Sequence, residues 1–264
     1  MIIWTIAKAT VGEALRKKIL NVFLIVAVGM ILISLYASGF SSPTPLEFRQ
    51  ELTIVKSFGL GMIALAALFI SLVMGIFLIP SEIENRTLYA ILSKPVKRYE
   101  YVSGKYLGGL LTLLINVGLM GLAFVVALLA RGHGKFDPGI LTGVVMIYFQ
   151  FFLLASVTIF FSTFVTPTVN FFISLAVYVV GSLSSVTEAM AHSEKVHAVV
   201  RYFYTALHYV IPNFGNFNIQ NPLIHPDVPI KNMTLYSIET ILYAVVFAIV
   251  LLILGVLVFE RKEV

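Results

Sequence analysis

The chain has 264 residues, 59% of them apolar and only 12% charged, with a mean hydropathy of +0.97. A soluble domain of this length needs far more charge to cover its exterior, so the solvent this chain is built for is lipid. With no cysteine, disulfides, iron–sulfur ligation and thiol catalysis are excluded, and the net charge of +5 points to loop topology rather than nucleic acid.

The first twenty residues, MIIWTIAKATVGEALRKKIL, are too charged to span. They predict an interfacial helix, with Ile2, Trp4 and Ile6 on lipid and Lys8, Arg16 and Lys17 toward headgroups; a simple positive anchor is the alternative. Six apolar runs follow, at 19–39, 57–79, 106–130, 139–164, 169–187 and 238–259. Each is close to the ~20 residues that a spanning helix needs. The first is expected to remain a span. It is longer than a signal core, and a segment with its own apolar positions precedes it. The fold class predicted is therefore all-α, a single polytopic membrane domain over 1–264 with six transmembrane helices. On span two, Ala67, Ser71 and Gly75 recur every fourth residue, and Gly104 and Gly108 open span three as G-x-x-x-G. Small residues on one face let membrane helices pack closely, either within one subunit or at a seam between two copies.

Between spans two and three lies the longest strongly polar stretch, PSEIENRTLYAILSKPVKRYEYVSGKYLGG, at 80–109. Ser81 followed by Glu84 is a capping box, and Glu82 and Glu84 suit the positive end of a helix dipole. Ile83, Thr87 and Ala90 or Ile91 give one apolar face, and Pro95 ends this helix near Leu92 while able to start the next. The segment reads as a short amphipathic helix, a sharp break, and a second helix entering the membrane. It serves either as a rigid lever or as a solvated loop.

The wording of this insert resembles the signature of ABC transporter permeases of the type 2 exporter class, and the NosY-like branch in particular. The residues that carry the resemblance are Glu82, Glu84, Arg86, Thr87, Leu88, Leu92, Ser93, Lys94, Pro95, Arg98, Gly104, Lys105 and Gly108. It implies a cytoplasmic coupling helix over 80–105 that docks on a separate ABC ATPase, with Glu82, Glu84, Arg86, Thr87, Lys94, Pro95 and Arg98 as coupling residues. ATP and Mg would be bound by that ATPase, and two permease copies, identical or different, would meet two ATPases. A P-loop reads G-x-x-x-x-G-K-[ST]. Gly104-Lys105 is followed by Tyr106 and has no glycine five residues upstream, so the chain shows no evident nucleotide site of its own.

Lysine and arginine orient the spans. With the N-terminus in the cytoplasm, Lys8, Arg16, Lys17, Lys18, Arg86, Lys94, Lys97, Arg98, Lys105, Arg261 and Lys262 fall inside. Outside fall Arg49, Lys56, Arg131, Lys135, Lys195, Arg201 and Lys231. The inside set is larger and denser. Both termini and the insert are thus expected in the cytoplasm, and the resemblance implies the cytoplasmic membrane of a prokaryote.

Within the spans, Asn116, Gln150 and Asn170 are the main amides, and no ionisable side chain lies clearly at mid-depth. That weighs against an ion-coupled carrier. H-E-x-x-H and G-x-S-x-G are both absent, which weighs against a membrane protease. The outer segment, 188–237, predicts an amphipathic helix in KVHAVVRYFYTALHYV. His197, Arg201, Tyr204 and His208 lie on one stripe beside its seam, fit to meet an anionic headgroup or a partner, or to rest in the aromatic belt. His197 and His208 are three turns apart, without metal-site spacing. The stretch IPNFGNFNIQNPLIHPDVP that follows is turn-rich and carries no assignable chemistry. The readings left are a permease, a membrane anchor that recruits a cytoplasmic partner without transport, and an intramembrane enzyme.

Overall fold

A computed structural model describes residues 2–37, 45–78, 97–130, 138–184, 190, 197–218 and 232–260. Every extended regular element among them is helical, and no strand occurs. In chain order they are α1 (Ile2–Arg16), α2 (Lys18–Ala37), α3 (Pro45–Phe77), α4 (Arg98–Ala130), α5 (Pro138–Ser162), α6 (Pro167–Ser182), α7 (Ala198–Val210) and α8 (Met233–Glu260), with a 3-10 turn at Gly215–Phe217 before α8.

Four helical stretches are long and apolar enough to cross a membrane: Thr53–Phe77, Arg98–Ala130, Pro138–Ser162 and Met233–Phe259. The pair α1 and α2 passes jointly, bent by 61° where Lys17 interrupts the helix. Of the run expected at 169–187, the described part forms a 16-residue helix, Pro167–Ser182, about 24 Å at 1.5 Å per residue. That falls short of a hydrocarbon core of about 30 Å. Helix α3 starts at Pro45, well before the expected 57, on a proline suited to a first helical turn.

Helix α5 is the centre of the bundle. It is apolar on all sides, as a buried helix must be, and Met146, Phe151, Leu153, Leu154 and Ala155 are fully buried. Helices α3, α4, α6 and α8 pack around it, α2 packs on α3, and α1 on α4. The outward faces of α2 and α8 stay apolar, with Val22, Ile25 and Ile33 on one and Leu242, Val246, Ile249, Ile253 and Leu257 on the other. The α8 residues recur at helical spacing, and lipid covers such a stripe without penalty.

Polar side-chain atoms fully enclosed in the bundle are paired among the described residues. Asn170 Nδ2 donates to the carbonyls of Gly75 (3.1 Å) and Thr158 (3.0 Å), and its Oδ1 accepts from Ser174 Oγ at 2.9 Å. Thr158 Oγ1 in turn donates to the Ser71 carbonyl, 3.2 Å away. Among the described residues, no buried side-chain nitrogen or oxygen lacks a partner. These bonds clamp α3, α5 and α6 together at one end of the bundle. Gly75 makes the approach possible, since a Cβ there would strike Thr158.

Candidate functional site

The end of the bundle from which segment 79–96 leaves is built as a frame. Its first post is Leu78, buried at the end of α3, whose amide donates to the Met74 carbonyl at 2.9 Å. Its side chain lies over Gly109, where a Cβ would come within 2.9 Å of Cδ1. The second post is the start of α4. Lys97 occupies the N-cap, and its amide donates to Glu100 Oε2 at 3.0 Å. This is the reaching-back half of a capping box, with the carboxylate at the positive end of the helix dipole. The helix therefore starts at Arg98, three residues after Pro95.

Two contacts bind this start to the far end of the chain. Arg98 Nη1 donates to the Phe259 carbonyl at 3.1 Å, so the guanidinium meets one of the last carbonyls of α8. That is the favourable placement for a cation at a helix C-terminus. The Tyr101 ring stacks on Phe259 with centroids 6.1 Å apart, and both residues are fully buried.

Helix α1 completes the frame. Its small residues Ala7, Thr10 and Ala14 are buried against α4. Gly104 and Gly108 make room for it: a Cβ on Gly104 would lie 2.7 Å from Ile6 Cβ, and one on Gly108 would lie 2.8 Å from the Ala7 carbonyl. Ile6 thus packs on α4 instead of facing lipid as expected from the sequence, whereas Ile2 and Trp4 are exposed. Lys8 sits over the Trp4 ring at 5.6 Å. Charge reinforces the apolar seam. Glu13 lies 3.3 Å from Lys17 and 3.5 Å from Lys105, and Lys17 is also 4.8 Å above the Phe77 ring. One carboxylate on α1 thereby links the α1–α2 bend, the end of α3 and the start of α4.

Of the residues that the resemblance singles out for coupling, Arg98 belongs to this frame, and Glu82, Glu84, Arg86, Thr87, Lys94 and Pro95 lie outside the described residues. Of the packing residues, Ala67 and Ser71 are fully buried, Gly75 meets α5, and Gly104 and Gly108 meet α1 of the same chain. His197 caps α7 and is exposed, Arg201 and Tyr204 are half-buried, and His208 lies on the last turn, its side chain outside the described set. Sequence reasoning missed Glu13, Tyr101 and Phe259. The spacing of Glu13 and Lys17 is legible as an i, i+4 pair. Nothing in the sequence joins Glu13 to Lys105 or Arg98 to Phe259.

The opposite end holds a second feature. The turn-rich residues 211–218 fold back into the bundle, burying Phe214 and Phe217. The Phe214 amide donates to the Gly181 carbonyl at 3.0 Å, and its carbonyl accepts from Gln150 Nε2 at 3.3 Å. Gln150 is the middle residue of α5, so irregular backbone reaches deep into the bundle. Such backbone is tolerated at membrane depth only where protein or a polar cavity surrounds it.

Among the described residues no group of three or more histidine, aspartate or glutamate side chains is placed to hold a metal. No curated protein matches the chain. A family model described as ABC-2 family transporter protein matches residues 4–264, nearly its whole length. With apolar spanning helices and a family match of that extent, the chain belongs to the ABC-2 family of transporter proteins and is an integral membrane subunit of an ABC transporter.

Proposed function

We propose that the chain is the permease half of an ATP-driven exporter of the type 2 class, NosY-like in its insert. In this reading the ATPase is a separate polypeptide that holds ATP and Mg, and two permease copies meet two ATPases. Segment 80–105 is the cytoplasmic coupling element, docked through Glu82, Glu84, Arg86, Thr87, Lys94, Pro95 and Arg98. Both termini lie in the cytoplasm of a prokaryotic cell, and the bundle sits in its cytoplasmic membrane.

One observation carries the reading: both ends of segment 79–96 are fastened into the same frame. Leu78 is packed on α4, and Arg98 and Tyr101 are bound to Phe259. A push on the segment is therefore delivered to α3, α4 and α8 together, with α1 carried along by Gly104, Gly108 and the Glu13–Lys105 contact. Packed helices respond to such a push by rigid-body shifts, not by local bending.

The first test is isolation of the tagged chain from its native membrane in a gentle detergent, with mass spectrometry of its companions. A stoichiometric P-loop ATPase is expected. Its reproducible absence from intact, folded protein would favour a membrane anchor without transport. The second test is Glu84→Pro, which breaks the capped helix. The spans should insert normally while substrate-linked ATP hydrolysis disappears; normal hydrolysis would sink the coupling role.

A further inference from the structure

The inserted turn at 211–218 leaves a cavity of about 380 Å³ beside it, lined chiefly by Gln150, Tyr178, Ser184, Asn213, Asn216 and Asn218. The volume lies in the range of small-molecule sites and is several times the ~30 Å³ share of one water. None of the described lining residues is charged. An anion or a cation would find no countercharge among them, and burying either unpaired is costly.

The walls are held rigidly. Asn213 Oδ1 accepts from Ser184 Oγ at 2.6 Å and from the Asn216 amide at 3.2 Å, while the Asn213 amide donates to the Tyr243 hydroxyl at 2.9 Å. The Tyr236 hydroxyl donates to the Asn216 carbonyl at 2.7 Å. Gly215 keeps the turn tight, since a Cβ there would come within 2.7 Å of Ser184 Oγ. Other amide groups at the cavity have no intramolecular partner among the described residues. These are Gln150 Oε1, Asn213 Nδ2, and the side-chain amides of Asn216 and Asn218.

A carboxamide presents a donor and an acceptor in one plane, and neighbouring hydroxyls on a sugar ring both donate and accept. The half-buried Tyr178 ring adds a flat apolar surface of the kind that the C–H face of such a ring covers. We propose that this cavity binds a neutral, hydroxyl-rich ring: a sugar, either free or as the headgroup of a glycolipid. The proposal goes beyond the coupling reading and needs no ATPase.

The test uses the full chain in phosphatidylcholine nanodiscs, free of glycoside detergents, whose headgroups would compete. In one arm, saturation-transfer NMR is recorded with the methyl glycosides of glucose, galactose and N-acetylglucosamine. In the other, native mass spectrometry compares retention of monohexosyl diacylglycerol with that of plain diacylglycerol. Transfer in the first arm identifies a soluble sugar, selective retention in the second a lipid headgroup, and either supports the site. The Asn216→Ala/Asn218→Ala double variant removes side chains that make no internal bonds. It should keep its thermal unfolding profile and bind roughly tenfold more weakly, at about a few-fold per neutral hydrogen bond. The isosteric Asn218→Asp should weaken binding on its own. Silence in both arms overturns the proposal, as does unchanged affinity in both variants, or equal binding of choline or glucose 6-phosphate.

Discussion

Gly108 and Asn170 carry two different kinds of close packing. At Gly108 the backbone of α1 approaches so closely that any side chain would strike the Ala7 carbonyl, an atom that cannot rotate away. Gly108→Leu is therefore expected to lift α1 from α4, at about 1–3 kcal/mol for the overpacking. Thermal unfolding in nanodiscs and new protease cleavage within residues 2–16 would report it; an unchanged melting point would contradict the packing described. Asn170 instead bridges α3, α5 and α6 with its amide. Asn170→Leu keeps the branched shape and loses the bonds, at about 1 kcal/mol or more, the scale found for hydrogen bonds between membrane helices. Both positions were visible in the sequence, one as G-x-x-x-G and one as an amide in an apolar run. Their partners were not, because the sequence records spacing along a helix and not which helix faces it.

The elements divide into those a pattern predicts and those that contact decides. The apolar runs at 106–130 and 139–164 lie largely in α4 and α5, though α4 starts eight residues earlier, at Arg98, where the polar lead-in is already helical. The amphipathic stretch before 210 became α7, in keeping with its helical spacing. The stretch at 211–218 reads in the sequence as turn-rich, with asparagine and proline and no assignable chemistry. Its Phe214 and Phe217 are nevertheless buried, because Gln150, Gly181 and Tyr243 supply partners for its backbone, while Asn216 and Asn218 stay exposed. Gly181 is the residue that admits it, since a Cβ there would collide with the Pro212 carbonyl. Gly181→Leu should expel the turn. Hydrogen exchange at the Phe214 amide, bonded to Gly181, would then rise sharply while α4 and α5 stay protected; unchanged exchange would show that the turn is held by other means.

For the whole molecule, the arrangement has a loop-bearing end of welded helix termini and an opposite end with a polar cavity. The lysine and arginine bias predicts that the first end faces the cytoplasm. The absence of cysteine makes this easy to test, because single-cysteine variants need no cysteine-free background. In intact inverted vesicles, Arg86→Cys should react with a membrane-impermeant maleimide, and His133→Cys only after the vesicles are opened. The reverse pattern would invert the topology and remove the insert from any cytoplasmic ATPase. The stacked Tyr101 and Phe259 and the Arg98 bond imply that the start of α4 and the end of α8 move together. Arg98→Ala should therefore lower ATPase coupling while leaving membrane insertion intact, measured as transport per ATP hydrolysed.

Composition and pattern alone were enough for the solvent, the helical class and the family signature. Those depend on composition, run length and local spacing, which act within one helix. That α1 is seated on α4 by two glycines and an ion pair emerges only from the three-dimensional packing. The packing also decided that the polar segment is held at both ends, and that a turn-rich stretch lines a cavity whose described walls carry no charge. Each depends on groups far apart in the chain meeting at one depth. Close packing and the need to satisfy buried backbone select those meetings, and neither can be read along a single helix.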